Sequence, residues 1–329
     1  MFSPFPGSDM DLSFLNDLSV KTTPGALLKD FTTFRLGGPC LAMIECPEAQ
    51  ALKETVIRLR QKNVNFVMMG FGSNTLASDT GVDAVVVRYS SNTPHVKRQG
   101  NRLHIDASTI FDDLILFAIK ENMEGLTSFS GIPGTIGGAI AGNAGAYGFE
   151  ISQPIIELTL LKPDNNVVTV PKDTIRFSYR DSDLKHNGDI ILSAVFELKP
   201  GKDGKIMLKS HDNIIANRHE KHGDWRKFPS AGSFFRNVEP TSKAGPRQSA
   251  GFFLEQVGGK DLSVNGAHCF AKHANIITHD DGATAQAVYD LTLKMAGMVK
   301  EKFGIELTRE VRLLGEFQNA PSCNAKNYW

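Results

Sequence analysis

Apolar residues recur over 47–62 at the spacing of one helix face, with Leu52, Val56 and Leu59 at i, i+4 and i+7. Pro47 stands near the first turn, where a proline does no harm. A short apolar run, Phe66-Val67-Met68-Met69, then stops at Gly70 as a strand stops at a tight turn. Strands are expected around 85–87 and 103–107, followed by a helix over 111–122 whose Asp112 and Asp113 suit the positive end of the helix. Beyond residue 150 the pattern becomes strand-rich, over 155–161, 167–170 and 190–198, with turn signals such as Pro163-Asp164-Asn165-Asn166 between them. The polar stretch Pro200-Gly201-Lys202-Asp203-Gly204 reads as a domain boundary. After it, helices are expected over 207–221, 250–257 and 284–303, the last with Ala287, Val288, Leu291, Met295, Met298, Val299 and Phe303 at core spacing. A final strand is expected over 305–314, with Ile305, Leu307, Val311 and Leu313 on one face and Glu306, Thr308, Glu310 and Arg312 on the other. That polar face either meets water or lines a cleft. The sum is an α+β chain.

At 329 residues the chain has room for two or three domains, each with its own core. Acidic and basic residues balance at 36 each, so no broad field exists to hold nucleic acid or an anionic membrane, and an anionic ligand must be met by local groups. Cys40, Cys46, Cys269 and Cys323 lack the paired spacing of a zinc site or a disulfide framework, which fits a reducing cytoplasm. Residues 1–27 read as a loose arm without a signal-peptide pattern, and 318–329 as a polar tail. No run of eighteen apolar residues suggests a membrane span.

Candidate chemistry enters with glycine. Residues 131–148, GIPGTIGGAIAGNAGAYG, hold seven glycines and no charge. Such density is costly unless backbone must approach something closely or take positive φ, and exposed peptide N–H groups cradle phosphate. A second loop, Gly70-Phe71-Gly72-Ser73-Asn74, adds a hydroxyl and an amide. Glycine clusters also serve tight β-connections and close helix packing. Two phosphate-type loops nevertheless suggest a dinucleotide, and neither fits the G-x-G-x-x-G fingerprint of a Rossmann crevice. The pair His219 and His222 suits a helix C-terminus better than a metal, and His268, Cys269 and His273 lack a fourth partner nearby; no metal is expected.

These motifs, taken in order, resemble the UDP-N-acetylenolpyruvoylglucosamine reductase family, FAD enzymes of peptidoglycan precursor synthesis. The resemblance runs from Thr32-Thr33-Phe34-Arg35-Leu36-Gly37-Gly38-Pro39 through both glycine loops to Tyr179-Arg180-Asp181-Ser182, then residues 230–237 (SAGSFFRN) and Leu307-Thr308-Arg309-Glu310-Val311-Arg312. It implies an FAD-binding region of the vanillyl-alcohol-oxidase (PCMH) type in two subdomains, 28–92 and 93–201, and an α+β substrate domain over 202–317. Non-covalent FAD would be held by Gly70, Gly72, Ser73, Asn74, Gly131, Ile132, Pro133, Gly134, Gly137, Gly138, Asn143 and Gly145. Cys40, which could tether a flavin in more distant relatives, would not. NADPH would be the co-substrate, and UDP-N-acetylglucosamine enolpyruvate the acceptor, reduced to UDP-N-acetylmuramate.

By the same resemblance, Arg180, Ser233 and Glu310 would be catalytic, and Tyr179 and Asn237 would lie along the nucleotide sugar. The residue types suit the chemistry. Hydride addition to an enolpyruvyl group builds charge that spreads into its carboxylate, which a guanidinium can grip at two points. A placed serine can protonate the neighbouring carbon, and Glu310, beside a substrate carboxylate, would be protonated or bridged. Departures from the family pattern are Phe71, where a third glycine is common, Asn265 before Gly266, and added residues over 239–249. The short connection from Leu198 to Ser233 suits a type without a tyrosine-bearing flap. Rival readings are an FAD oxidase of the same superfamily and a nucleotide-sugar binding protein without catalysis.

Overall fold

The computed structural model describes residues 10–201, 203–240 and 248–320. Residues 1–9 of the expected arm, Lys202, residues 241–247 of the added turn, and 321–329 with Cys323 lie outside the described residues.

The first unit is a four-stranded sheet in which Cys40–Cys46, Val82–Tyr89 and Phe66–Met69 run parallel and Lys21–Pro24 adds an antiparallel edge. Its central strands read as unbroken apolar runs because both faces are covered. Val85 and Val87 enter one core with helix α1 (Ala49–Gln61), while Ala84 and Val86 enter the opposite one. The second unit is a five-stranded antiparallel sheet, ordered 167–171, 155–161, 190–197, 102–106, 96–99. Helices α2 (Phe111–Lys120) and α3 (Ile136–Ala141) share its core. The third unit packs α5 (Ala250–Gln256) and α6 (Ala285–Phe303) on the antiparallel strands Ser263–Val264, Ala267–Phe270 and His273–His279.

Three expectations change. The arm is packed from residue 12 onward: Leu12 and Leu15 are buried, Arg58 binds Asp17 at 2.8 Å, and 21–24 is a sheet strand. Helix α4 (Gly204–His222), expected to open the substrate domain, lies against α2 and also touches the strand His273–His279. Met207 enters the core of the first two units, and the buried His211 sits between Asp112 at 3.2 Å and Asp212 at 2.9 Å. The expected strand over 305–314 shrinks to Arg312–Leu314, which pairs in parallel with Thr75–Ala77. Alternation is present, with Ile305, Val311 and Leu313 buried, but a strand needs a partner ladder and only the last three residues find one. Glu306 turns outward to Lys300 at 2.7 Å.

Candidate active site

Both glycine loops border one cleft between the units. One cavity, of about 550 Å³, is lined by Gly70, Ser73, Asn74 and residues 132–135 on one side and by Ser233, Asn237 and Glu310 on the other. A second, of about 680 Å³, continues past Phe66–Gly70 toward residues 184–191, and the two share Met69, Gly70, Thr135, Gly138, Lys185 and Arg312.

The loops are built to be close. A Cβ on Gly70 would stand 2.4 Å from Thr135 Oγ1, so no larger residue fits there without a shift. The Ser73 hydroxyl donates to the Pro133 carbonyl at 2.6 Å, fastening one loop to the other. Among the described residues, the N–H groups of Phe71, Ser73, Asn74 and Gly134 meet no protein acceptor, leaving donors along the cavity wall for an anion.

Several expected cofactor residues act otherwise. The N–H of Gly137 is taken by the Ala107 carbonyl at 2.8 Å, and that of Gly138 by Thr135 Oγ1, which caps α3. Gly137 still borders the second cavity and Gly138 both. Gly72, Gly131 and Asn143 border neither. Gly131 donates to Asp112 at 3.2 Å, tying the long loop to the first turn of α2. Asn143 is fully buried and donates to Glu150 at 3.1 Å and to the Ser178 carbonyl at 2.8 Å. The Asn74 carboxamide donates to the Glu310 carbonyl at 3.1 Å. Ile132, Pro133, Gly134 and Gly145 line the first cavity as expected.

Arg180, Ser233 and Glu310 reach that cavity from three separate elements, together with Tyr179 and Asn237. Arg180 occupies the turn between Phe177–Ser178 and Asp181–Ser182, with φ +58. Its Nη2 donates to the Gly145 carbonyl at 2.8 Å, its Nε lies 3.3 Å from Glu310 Oε1, and it stacks 5.4 Å from the Tyr179 ring. Asn275, which is buried, fixes the Ser233 segment: it accepts the Phe235 N–H at 2.9 Å and donates to the Phe235 carbonyl at 2.8 Å, while its own carbonyl takes the Phe234 N–H. The Phe234 carbonyl in turn accepts the Glu310 N–H at 2.8 Å. Asn237 accepts the Ala250 N–H at the start of α5, which orients its carboxamide.

The Glu310 side chain keeps 23% exposure only because it faces the cavity; protein encloses it otherwise. Burial pushes its carboxyl above the usual range, opposed by Arg180, Arg236 and Lys185. Lys185, Arg218, Lys221 and Arg312 also line this cavity, with Glu310 the one acidic side chain in its lining among the described residues. A chain of zero net charge thus concentrates cationic groups at one place.

Sequence reasoning missed Lys185, Arg218, Lys221 and Tyr147. Arg218, Lys221 and His222 arrive on the last turns of α4, a helix read as belonging elsewhere. His222 does not act as a cation at the helix C-terminus: burial, with His273 5.2 Å away and Arg218 nearby, lowers it to about 4. Phe71 packs edge-on against Trp225 at 5.8 Å. Cys40 is fully buried, donates to the Ala26 carbonyl, and is pushed up to about 11 by desolvation, which suits no flavin linkage. Among the described residues no three His, Cys, Asp or Glu side chains gather as a metal site, and no helix is long and apolar enough to cross a membrane.

Comparison with known proteins agrees with this geometry. Residues 224–314 match the family model of the UDP-N-acetylenolpyruvoylglucosamine reductase C-terminal domain, and residues 40–171 that of an FAD binding domain. The UDP-N-acetylenolpyruvoylglucosamine reductase of Clostridium botulinum (strain Eklund 17B / Type B) is 31% identical over 291 residues, 88% of this chain and 92% of the relative. That of Nostoc punctiforme is 31% identical over 320 residues, 95% and 92%. Among solved structures, UDP-N-acetylenolpyruvylglucosamine reductase (MurB) from Thermus caldophilus superposes with a TM-score of 0.73 at 26% identity, covering 90% of this chain and 99% of that one.

Proposed function

We propose a division of the reaction among named residues, from the premise that the chain belongs to the UDP-N-acetylenolpyruvoylglucosamine reductase family. It is an FAD oxidoreductase of peptidoglycan precursor synthesis, with NADPH as co-substrate. The residues present fit the cofactor: two joined cavities, a glycine approach that a Cβ would block, and free N–H donors at Ser73, Asn74 and Gly134. Gly70, Ser73, Asn74, residues 132–134, Gly137, Gly138 and Gly145 would hold it. Bound there, FAD supplies hydride, gained from NADPH, to the enolpyruvyl double bond of UDP-N-acetylglucosamine enolpyruvate.

The chain's own groups do the rest. Arg180 grips the substrate carboxylate and meets the charge that develops there, which preorganised donors do at no reorganisation cost. Ser233 Oγ gives a proton to the carbon next to that carboxylate. Glu310, whose carboxyl burial pushes up against the pull of Arg180, Arg236 and Lys185, is held by Arg180 and polarises the same end. Asn237 and Tyr179 orient the sugar. Tyr147, well exposed at the mouth, stands 5.8 Å from the Arg218 guanidinium, and together they suit the anionic nucleotide end in a chain without a flap. We assign the first two sheets, with α4, to the cofactor and residues from 224 to the substrate, in the cytoplasm where this precursor chemistry has its reductant.

The convergence of Arg180, Ser233 and Glu310 on one cavity carries this reading. The test is anaerobic: reduce the protein with NADPH, add the enolpyruvyl substrate, and follow flavin absorbance. Prompt return of the oxidised spectrum with UDP-N-acetylmuramate formed is expected. A flavin that stays bleached until air is admitted would instead mark an oxidase or a binding protein.

A further inference from the structure

Lys185 has no part in the roles assigned above, yet it is the lysine that borders both cavities. Its side chain is 8% exposed, and its ammonium donates to the Arg180 carbonyl at 2.7 Å and approaches Asp181 Oδ1 at 3.6 Å. His186 also meets Asp181, at 3.1 Å from the same Oδ1. The geometry follows from the chain order: a two-residue turn carries Tyr179 and Arg180, the paired strand residues Asp181 and Ser182 follow, and a single 3-10 turn over Asp183–Lys185 folds the lysine back on the turn it has just left.

The carbonyl it grips belongs to a strained residue. Arg180 has φ +58, a left-handed conformation that costs an L side chain energy and persists only where surroundings impose it. The same residue's guanidinium is the one aligned on Glu310. We propose that Lys185 is a positioning residue for substrate reduction, locking the Arg180 backbone in its left-handed conformation so that the guanidinium stays in register with Glu310 and the substrate carboxylate. The proposal rests on the roles given to Arg180 and Glu310 above, and its test separates the two.

Electrostatics favours the same role. The groups facing the ammonium are Asp181 and Arg180 from the hairpin, Arg236 from the substrate domain, and Glu310 and Arg312 from the last segment. Burial pulls the ammonium down to about 8, with Asp181 opposing, so it is charged at neutral pH and loses its charge as pH rises through about 8.

The experiment is a double-mutant cycle on the FAD-loaded protein, pairing Lys185→Met with Arg180→Lys and measuring each half-reaction by anaerobic stopped flow. Misplacement of a positioning group by about 1 Å costs about 10²-fold, which is the loss expected in flavin reoxidation by substrate for Lys185→Met. Reduction by NADPH and FAD content should stay close to the parent, while the melting temperature falls modestly because the part-buried Arg180 carbonyl loses a donor. In the Arg180→Lys background the same change should cost less than about threefold, because the guanidinium it positions is already gone. Reoxidation in the parent is expected to fall as pH rises through about 8, and that fall should be absent from Lys185→Met. An equal loss in both backgrounds would overturn the proposal, as would unchanged reoxidation, or equal slowing of both half-reactions with loss of FAD. If Arg180→Lys alone left reoxidation intact, the reading of Arg180 itself would fail, which is a different result from a Lys185 effect that is additive.

Discussion

Asn275 offers a test of how Ser233, the proposed proton donor, is held in place. Its carboxamide makes two hydrogen bonds to the backbone of Phe235, at 2.9 and 2.8 Å, two residues from Ser233. Asn275 and Phe235 are both buried, so water cannot replace what is lost. Replacing Asn275 with Leu keeps the bulk and leaves one buried N–H and one buried C=O without partners. Each such orphan costs about 1–3 kcal/mol, so the variant should lose about 2–6 kcal/mol of stability. The same two groups set the path of the segment that carries Ser233 and, through the Phe234 carbonyl, the backbone of Glu310. A shift there of about 1 Å should therefore cost about 10²-fold in reoxidation of the reduced flavin by substrate.

The assay is paired: urea unfolding of the FAD-loaded protein followed by tryptophan fluorescence, and anaerobic stopped-flow reoxidation. Trp225 lies next to the cleft, against Phe71, so the fluorescence reports on the region concerned. A loss below about 1 kcal/mol would mean that the two hydrogen bonds are not worth what buried pairs are worth. A full loss of stability with an unchanged reoxidation rate would refute the claim that Asn275 positions the donor.

Three further outcomes are expected. Ser233→Ala should slow reoxidation by substrate by about 10²- to 10⁴-fold while NADPH still bleaches the flavin, because only the second half-reaction needs the proton; stopped-flow traces of each half-reaction decide it. Gly70→Ala places a methyl carbon where Thr135 Oγ1 lies 2.4 Å away, so the purified variant should carry less FAD per chain, read from the ratio of flavin to protein absorbance. His222 is held to about 4 against an ordinary value of 6.5, so between those values the unfolded chain binds a proton that the folded one does not. Stability linked to His222 is thus fully present above about pH 6.5 and lost as pH falls toward 4, and His222→Gln should flatten the melting temperature over that window.

What the sequence disclosed and what it hid divide along a physical line. Helices α1, α2, α5 and α6 and the strands at 66–69, 155–161 and 190–197 are legible because each buries a periodic face against its own unit. The final strand was over-extended because alternation records burial, and burial at Ile305 is achieved without a ladder. The neighbours of helix α4 are not legible because its buried residues, Met207 and His211, are few and say nothing about what buries them. Both glycine loops border one cleft, but the sequence does not say which of their atoms face it. A glycine in a motif does not reveal whether its N–H faces a ligand or, as at Gly137, the carbonyl of Ala107. Asn74, Asn143 and Ser73 look like ligands in sequence and serve as ties between loops in space.

Those ties bear on how the site works. Asn74 in the first loop holds the Glu310 carbonyl, the Asn74 carbonyl takes the Arg312 N–H at 3.0 Å, and Phe234 holds the Glu310 N–H. Glu310 is therefore pinned by the cofactor side and the substrate side at once, and Asn275 extends the same lacing to the segment of Ser233. Two of the three groups proposed to act on the substrate then share one hydrogen-bonded frame. Arg180 does not belong to it: its backbone sits on a separate hairpin, and it meets Glu310 only through side chains, at 3.3 Å. An ion pair between side chains with about a quarter of their surface open to the cavity is a weaker constraint than buried backbone hydrogen bonds. The joint between hairpin and frame is the point where alignment can be lost, and that is where the fold places a strained φ, a cation on the strained residue's carbonyl, and a carboxylate on the cation.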